Sequence, residues 1–386
     1  MSTLRWTSER AFRNGAVAPA GGGAYWPGVE RRGIFTAPRT PLMIVALPRS
    51  LARRPALRVA ALALPVLALA ACGRDRGSSR DSGNAATAAD GRASTIVVFN
   101  AGSLARPMRA ALDRFAAREQ VTVEQESAGS LETARKLTEL GHVPDVVALA
   151  DAEVFPQLLM PAQTTWYAEF ARNRMVVAYT DRSKDAADVA KGADGWWRVL
   201  TRPGIEVGRA DPNLDPNGYR TLLVLQLAER HYRQPGLAAR LLAASPDRDV
   251  RPKEADLVAL LQAGELDYIW SYESLAQAAG LRYVTLPAEI DLGTPADSAL
   301  YGVASVKVRG KTPRDTVVFR GQPIVYAFSI PRAAPHQALA ERFAAFLVSD
   351  EGRRVLRDAK LDALDRPIVV GSGAPAALST SQSTAR

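Results

Sequence analysis

The chain has 386 residues and a formal net charge of +9, but residues 1–71 hold ten arginines against two glutamates, so the remainder carries only about +1. Charge confined to a leader removes the main support for a nucleic-acid-binding body. Cys72 is the only cysteine and the three histidines are far apart, which excludes a disulfide framework, a thiolate metal site and a cysteine nucleophile, and leaves no ligand spacing for zinc or haem.

Residues before Met43 are rich in Gly and Arg without periodicity, and Met43 is a second candidate start. From Arg53 the text "RRPALRVAALALPVLALAACG" places arginines, a short apolar run and small residues before Cys72. That is the layout of a secretory signal, and the run is too short for a comfortable membrane span. Leu69-Ala70-Ala71-Cys72 resembles a bacterial lipobox, whose cysteine is acylated and becomes the new N-terminus. The expectation is a leader over 1–71 and a lipid anchor at Cys72 that holds the protein in the periplasm or at the cell surface. Residues 72–94 are polar and rich in Gly, Ser and Ala, which predicts a flexible tether. The stretch 371–386 is expected to be equally unstructured.

Between tether and tail, strand-like runs alternate with helical ones. The strands are "TIVVFN", "VTVEQE", "DVVALA", "MVVAYT", "IEVGRA", "DYIWSY", "YVTLP" and "PIVYAFSIP". Leu104, Met108, Leu112 and Phe115 share one face of a first helix; Leu131, Ala134, Leu137 and Leu140 share one face of a second, with Gly141 placed to cap its end. Further helices start near Pro216, Pro252 and Ser274, and a last one covers "HQALAERFAAFLVSDEGRRVL". This alternation predicts an α/β fold of two lobes with mainly parallel sheets covered on both faces. Ligands of such sheets collect at strand carboxyl ends, beside helix N-termini.

Two of those ends repeat a motif. "FNAGSL" and "ESAGSL" each stop a β run at Ala-Gly-Ser and open a helix. Gly102 permits close backbone approach, and Ser103 and Ser130 are suitable N-caps. Two accounts are open: each serine caps its own helix, or hydroxyls and free N–H groups at two converging helix starts bind an anion. Neither loop contains Lys or Arg and no Walker pattern is present, so any anion there is held by neutral dipoles.

Two acids open later helices. Asp215 precedes Pro216, Asn217 and Gly218, an N-cap followed by proline at the first helical position, and Glu254 falls in a first turn after Pro252. Both have a complete explanation as helix-terminal residues.

Taken together, "FNAGSLARPM", "SAGSLETARKL", "PDVVALADAEVFPQLLMP", "WYAEFARNRMVVAYTDRSK", "DPNGYRT", "VRPKEADLVALLQAGELDYIWSYESLA" and "GQPIVYAFSIP" resemble the tungstate/molybdate-binding proteins of ABC importers, in the branch first typified in archaea. The resemblance covers roughly residues 95–361. It implies the type II periplasmic-binding-protein fold: two α/β lobes, here 95–175 with 325–370 and 176–324, joined by two crossover segments around a ligand cleft. It further implies an oxyanion held by Gly102, Ser103, Ser130, the Asp215-Pro216-Asn217 turn, Glu254 and Tyr272. In that branch two carboxylates add to the metal centre of the oxyanion, and Asp215 and Glu254 occupy those positions. Asn217 stands where Cys is common in the family, and Asn100 where His is common.

That assignment answers a difficulty. A carboxylate about 4 Å from a dianion costs several kcal/mol even at an effective dielectric near 20. Two acids fit the site if their oxygens bond a hard, high-valent metal inside the anion, a bond sulfur cannot accept. The expectation is a monomeric, lipid-anchored binding protein that delivers molybdate or tungstate to an ABC permease, with no cofactor, no nucleic-acid partner and no catalysis. The alternative is a binding protein for another oxyanion: sulfate, phosphate or an organic anion. The absence of a cleft Arg motif argues against carboxylate ligands. A hydrolase using Ser103 or Ser130 lacks the Gly-x-Ser-x-Gly turn.

Overall fold

The computed structural model describes residues 94–312 and 314–379; the expected leader, Cys72 and almost all of the tether lie outside them. The chain begins with β1 (Thr95–Ala101), α1 (Ala105–Glu119), β2 (Thr122–Ala128), α2 (Ser130–Glu139), β3 (Val146–Leu149) and β4 (Trp166–Asn173). It then builds β5 (Met175–Tyr179), α3 (Ala186–Val189), α4 (Trp196–Leu200), β6 (Val207–Ala210), α5 (Pro216–His231), α6 (Leu237–Ala243), β7 (Val250–Arg251), α7 (Glu254–Ala263), β8 (Tyr268–Tyr272), α8 (Glu273–Ala278) and β9 (Arg282–Thr285). After α9 (Ser298–Tyr301) and the hairpin β10 (Ser305–Arg309) and β11 (Thr316–Arg320), it returns as β12 (Ile324–Ser329), α10 (Gln337–Leu347), α11 (Asp350–Asp358), β13 (Asp362–Gly371) and α12 (Ala376–Ser379).

Besides the β10-β11 hairpin, two larger sheets result among the described residues, ordered β13-β4-β12-β3-β1-β2 and β7-β6-β8-β5-β9. Each has a parallel trio, β2-β1-β3 and β7-β6-β8, flanked by a strand that arrives from the other lobe. β12 is antiparallel to β3, and β5 is antiparallel to β8. The expectation of mainly parallel sheets is therefore corrected to mixed sheets, because a strand crossing between lobes enters its new sheet from the opposite end. The two crossings lie side by side, Asn173 at the end of β4 pairing with Ile324 at the start of β12, and both are tied to one loop of the second lobe: Met175 N–H donates to Asp291 O at 2.7 Å and Ile324 N–H to Leu292 O at 2.8 Å. Two lobes with matched strand order and two adjacent crossovers are the type II periplasmic-binding-protein fold.

The apolar periodicity places the helices. Leu104, Met108, Leu112 and Phe115 are all buried, with the Phe115 ring 5.2 Å from that of Phe343 on α10. Leu131, Ala134 and Leu137 are buried too, but Leu140 is 62% exposed, because α2 ends at Glu139 and Gly141 turns the chain away at φ +66. The long last helix is in fact two, since Ser349 caps α11 by accepting the Gly352 N–H at 3.1 Å. The stretch from Gly371 is not unstructured over its described part. Gly371 still pairs with Trp166, Ser372 N–H donates to Thr165 O at 3.1 Å, and Leu378 on α12 is fully buried. Burying a leucine contributes about 2 kcal/mol, enough to hold one short turn on the body.

Candidate functional site

Strand register brings the repeated turns together. β1 and β2 pair in parallel with Ala101 opposite Ala128, so the Gly102-Ser103 and Gly129-Ser130 turns leave adjacent strands side by side. The second sheet repeats the device: Ala210 lies opposite Arg251, and the chain runs on from these two strand ends to Asp215 and Glu254. Residues 39 positions apart thus become neighbours. All eight sequence-predicted site residues are buried, and they lie where the two lobes meet.

Neither serine caps its helix by a side-chain bond. Gly102 to Leu104 form a short 3-10 turn ahead of α1, and Ser103 Oγ instead accepts the Tyr326 hydroxyl at 3.0 Å. Gly129 is the N-cap of α2, and Ser130 Oγ accepts the Ala150 N–H at 2.9 Å. The first-turn N–H groups of Leu131 and Glu132 both donate to Leu214 O of the other lobe, at 3.1 and 3.2 Å, so they are not open donors. The simple capping account fails, and so does the part of the anion account that relied on those two amides.

Three hydroxyls share one chemical state. Ser103 accepts from Tyr326, Ser130 accepts from Ala150, and the Tyr272 hydroxyl accepts from Arg220 Nη1 at 2.8 Å. Each keeps its own O–H for a further acceptor. Burial raises the Tyr272 pKa well above its ordinary value, so the phenol stays protonated. Asn100 braces the first pair of turns: its amide nitrogen donates to Ala101 O at 2.7 Å and Ser127 Oγ at 2.9 Å, and its oxygen accepts from Gln125.

The acids form a tight pair. Asp215 caps α5 by accepting the Asn217 N–H at 2.8 Å, as its sequence context predicts, and its second oxygen accepts the Glu254 N–H at 3.2 Å. Glu254 Oε1 accepts from Ser271 Oγ at 2.7 Å and from the Tyr272 N–H at 2.6 Å, while its buried Oε2 has no partner in the protein. The side-chain amide of Asn217 is buried with neither end hydrogen-bonded. Burial lifts Asp215 to about 6 against the opposing hydrogen bonds from Asn217 and Glu254. Glu254 is raised well above the carboxylate range, first by burial and then by Asp215 beside it. Two desolvated carboxyls this close resist holding two negative charges.

Sequence reasoning missed the cation between them and the first lobe. Arg220 on α5 is 2% exposed; its Nη2 lies 3.0 Å from Asp151 Oδ2, and its Nη1 donates to Ala150 O at 2.7 Å as well as to Tyr272. Asp151 also accepts from the Tyr219 hydroxyl. Burial opposes the Arg220 charge, but Asp151, Tyr272 and Tyr219 outweigh it and keep the group cationic. The claim that no arginine stands in the cleft is therefore corrected. Its signal was present in "DPNGYR", one turn into the helix that Asp215 opens. Lys253 is a second omission, its Cδ 3.6 Å from where a Cβ on Gly102 would lie.

Two α/β lobes that meet over buried hydroxyls, acids and a paired arginine at strand carboxyl ends define a solute-binding protein. Residues 96–359 match the model of the bacterial extracellular solute-binding protein family, and the chain belongs to that family, which works outside the cytoplasm. An uncharacterized solute-binding protein of Petrotoga mobilis is 42% identical over 264 residues, covering 68% of this chain and 82% of that protein. The molybdate/tungstate-binding protein WtpA of Pyrococcus abyssi is 34% identical over 343 residues, covering 82% of this chain and 95% of that protein. WtpA of Thermococcus kodakarensis is 34% identical over 305 residues, 72% and 84% of the two chains.

Proposed function

We propose that this protein captures molybdate or tungstate outside the cytoplasm and delivers it, unchanged, to the permease of an ABC importer. The observation that carries the reading is that the Glu254 N–H donates to Asp215 Oδ2 at 3.2 Å, which sets two buried acids side by side where the lobes meet, in a site whose hydroxyls each keep a proton to donate. Ser103, Ser130 and Tyr272 supply O–H donors for oxyanion oxygens, as neutral dipoles do in preorganised anion sites. Asp215 and Glu254 supply oxygens for the metal centre of the ligand, with Gly102, Pro216 and Asn217 shaping the turns around it. The relatives named as molybdate/tungstate-binding proteins support this choice of solute.

Arg220 brings positive charge to the site, but it is already satisfied by Asp151 at 3.0 Å and is not offered to a ligand carboxylate. This favours a compact oxyanion over an organic acid. The lipid anchor at Cys72, a monomeric state and the absence of any cofactor belong to the same proposal. Isothermal titration of the purified chain with tungstate, molybdate and sulfate tests it. Tight binding of the two oxometalates with no heat from sulfate is expected; equal affinity for sulfate overturns the oxometalate assignment.

A further inference from the structure

Arg135 lies on α2 of the first lobe, five residues past Ser130, and is 4% exposed. Such a side chain normally reaches water or a carboxylate, and Glu139 stands no closer than 3.8 Å. Its guanidinium instead spends its donors on backbone carbonyls of the second lobe. Nη1 donates to Asn213 O at 2.5 Å, Nη2 to Arg309 O at 2.7 Å and Nε to Gly310 O at 3.4 Å. The acceptor segments are tied to each other, because Arg309 N–H donates to Asn213 Oδ1 at 3.0 Å. The next carbonyl, that of Leu214, takes the N–H groups of Leu131 and Glu132 in the first turn of α2. Consecutive carbonyls of the turn leading into Asp215 are thus held by one helix of the opposite lobe.

We propose that Arg135 is a positioning residue for solute binding, a latch that holds the Asp215 turn and the end of β10 against the first lobe when the cleft is closed. Its hydrogen bonds go to backbone carbonyls outside the candidate ligand-binding residues, and each of them crosses between lobes. Opening the cleft would return all three carbonyls and the guanidinium to water, so the latch contributes to closure and not to the folding of either lobe. The planar fork of arginine suits this task, since a lysine ammonium at the same place reaches one acceptor at a time. The inference rests on the reading that the cleft closes over an oxyanion.

The test compares the full chain with Arg135→Gln and Arg135→Lys, using tungstate as the probe. Arg135→Gln is expected to raise the tungstate dissociation rate roughly tenfold or more with little change in association, as loss of charge-assisted bonds in a closed complex does. Arg135→Lys should recover part of the loss. The ligand-free melting temperature should stay with the parent, and small-angle scattering at saturating tungstate should show a larger radius of gyration for Arg135→Gln. Unchanged dissociation, or an equal fall in ligand-free and ligand-bound melting temperatures, overturns the latch. A parent that gives no heat with tungstate or molybdate overturns the oxyanion reading instead. The latch, which rests on that reading, falls with it.

Discussion

The N–H of Glu254 donates to a carboxylate oxygen of Asp215 across 3.2 Å, so the acid that caps one helix of the second lobe also meets the first residue of another. This single bond makes two helix starts into one site. Replacing either by its amide keeps the shape and removes an oxygen ligand. Asp215→Asn and Glu254→Gln are each expected to weaken tungstate binding by about 2 kcal/mol or more, and to relax rejection of sulfate, because the repulsion that excludes it is lost. Titration calorimetry of the two variants with both anions measures this. Variants that bind tungstate like the parent would reduce the acids to helix caps.

The same burial gives the ligand-free protein an unusual pH response. Asp215 is raised from its ordinary 3.8 to about 6. A carboxyl with a raised folded pKa stabilises fully below its unfolded value and loses that contribution as pH rises through the folded value. Between about pH 4 and 6 this group's contribution to ligand-free stability is therefore lost as pH increases, roughly 3 kcal/mol in all. Glu254 acts in the same direction. Asp215→Asn should flatten the slope of melting temperature against pH in that window. An unchanged slope would show that Asp215 titrates normally.

Binding should report the same protons. If Asp215 and Glu254 join the metal centre as carboxylates, the proton they retain in the ligand-free site must leave. Tungstate binding near pH 6 is then expected to release protons, read as a calorimetric enthalpy that varies with the ionisation enthalpy of the buffer. Proton uptake, or none, would mean that the acids meet the ligand as neutral hydrogen-bond donors.

Much of this architecture was legible in the text. Period-3.6 runs located α1 and α2, and the Asp-Pro pair located the start of α5. Three things were not. β13 carries Asp365, Arg366 and Pro367 inside its run, and its pairing with β4 skips from Ala363 to Ile368, so no alternating pattern survives to be read. The hairpin of β10 and β11 exposes much of both strands, which thins its apolar signal. The pairing of Asp215 with Glu254, and the roles of Arg220 and Arg135, depend on which strands lie adjacent and where lobes meet. Local spacing carries no record of either. The resemblance supplied the role of the acids, while the roles of the arginines emerge only in the tertiary structure.

Arg220 and Asp151 form a buried pair that spans the lobes. Removing one partner leaves an uncompensated charge, at a typical cost of about 3–5 kcal/mol in the arrangement that buries it. Arg220→Gln should therefore weaken tungstate binding strongly, and Asp151→Asn should do the same. The double variant is expected to lose less than the sum, since no lone charge remains. A double-mutant cycle in tungstate affinity gives the coupling; strict additivity would mean the pair does not act as a unit.

Gly129 separates closure from folding most cleanly. Its backbone, at φ −64 and ψ 145, is one any residue adopts, so a side chain there strains nothing within the first lobe. A Cβ at that position would however overlap the carbonyl of Leu214 from the second lobe, with Asp215 Cα only 3.2 Å away. Backbone on both sides leaves no flexible atom to yield. Gly129→Ala is thus expected to fold with the ligand-free melting temperature of the parent or slightly above it, because alanine reduces the entropy of the unfolded chain. Tungstate affinity should fall by tenfold or more, since the methyl group wedges the Asp215 turn away from Ser130. Thermal melts with and without saturating tungstate separate the two effects. An equal loss in both melts would place Gly129 in the fold of its own lobe, and an unchanged affinity would mean that the lobes need not approach this closely to hold the anion.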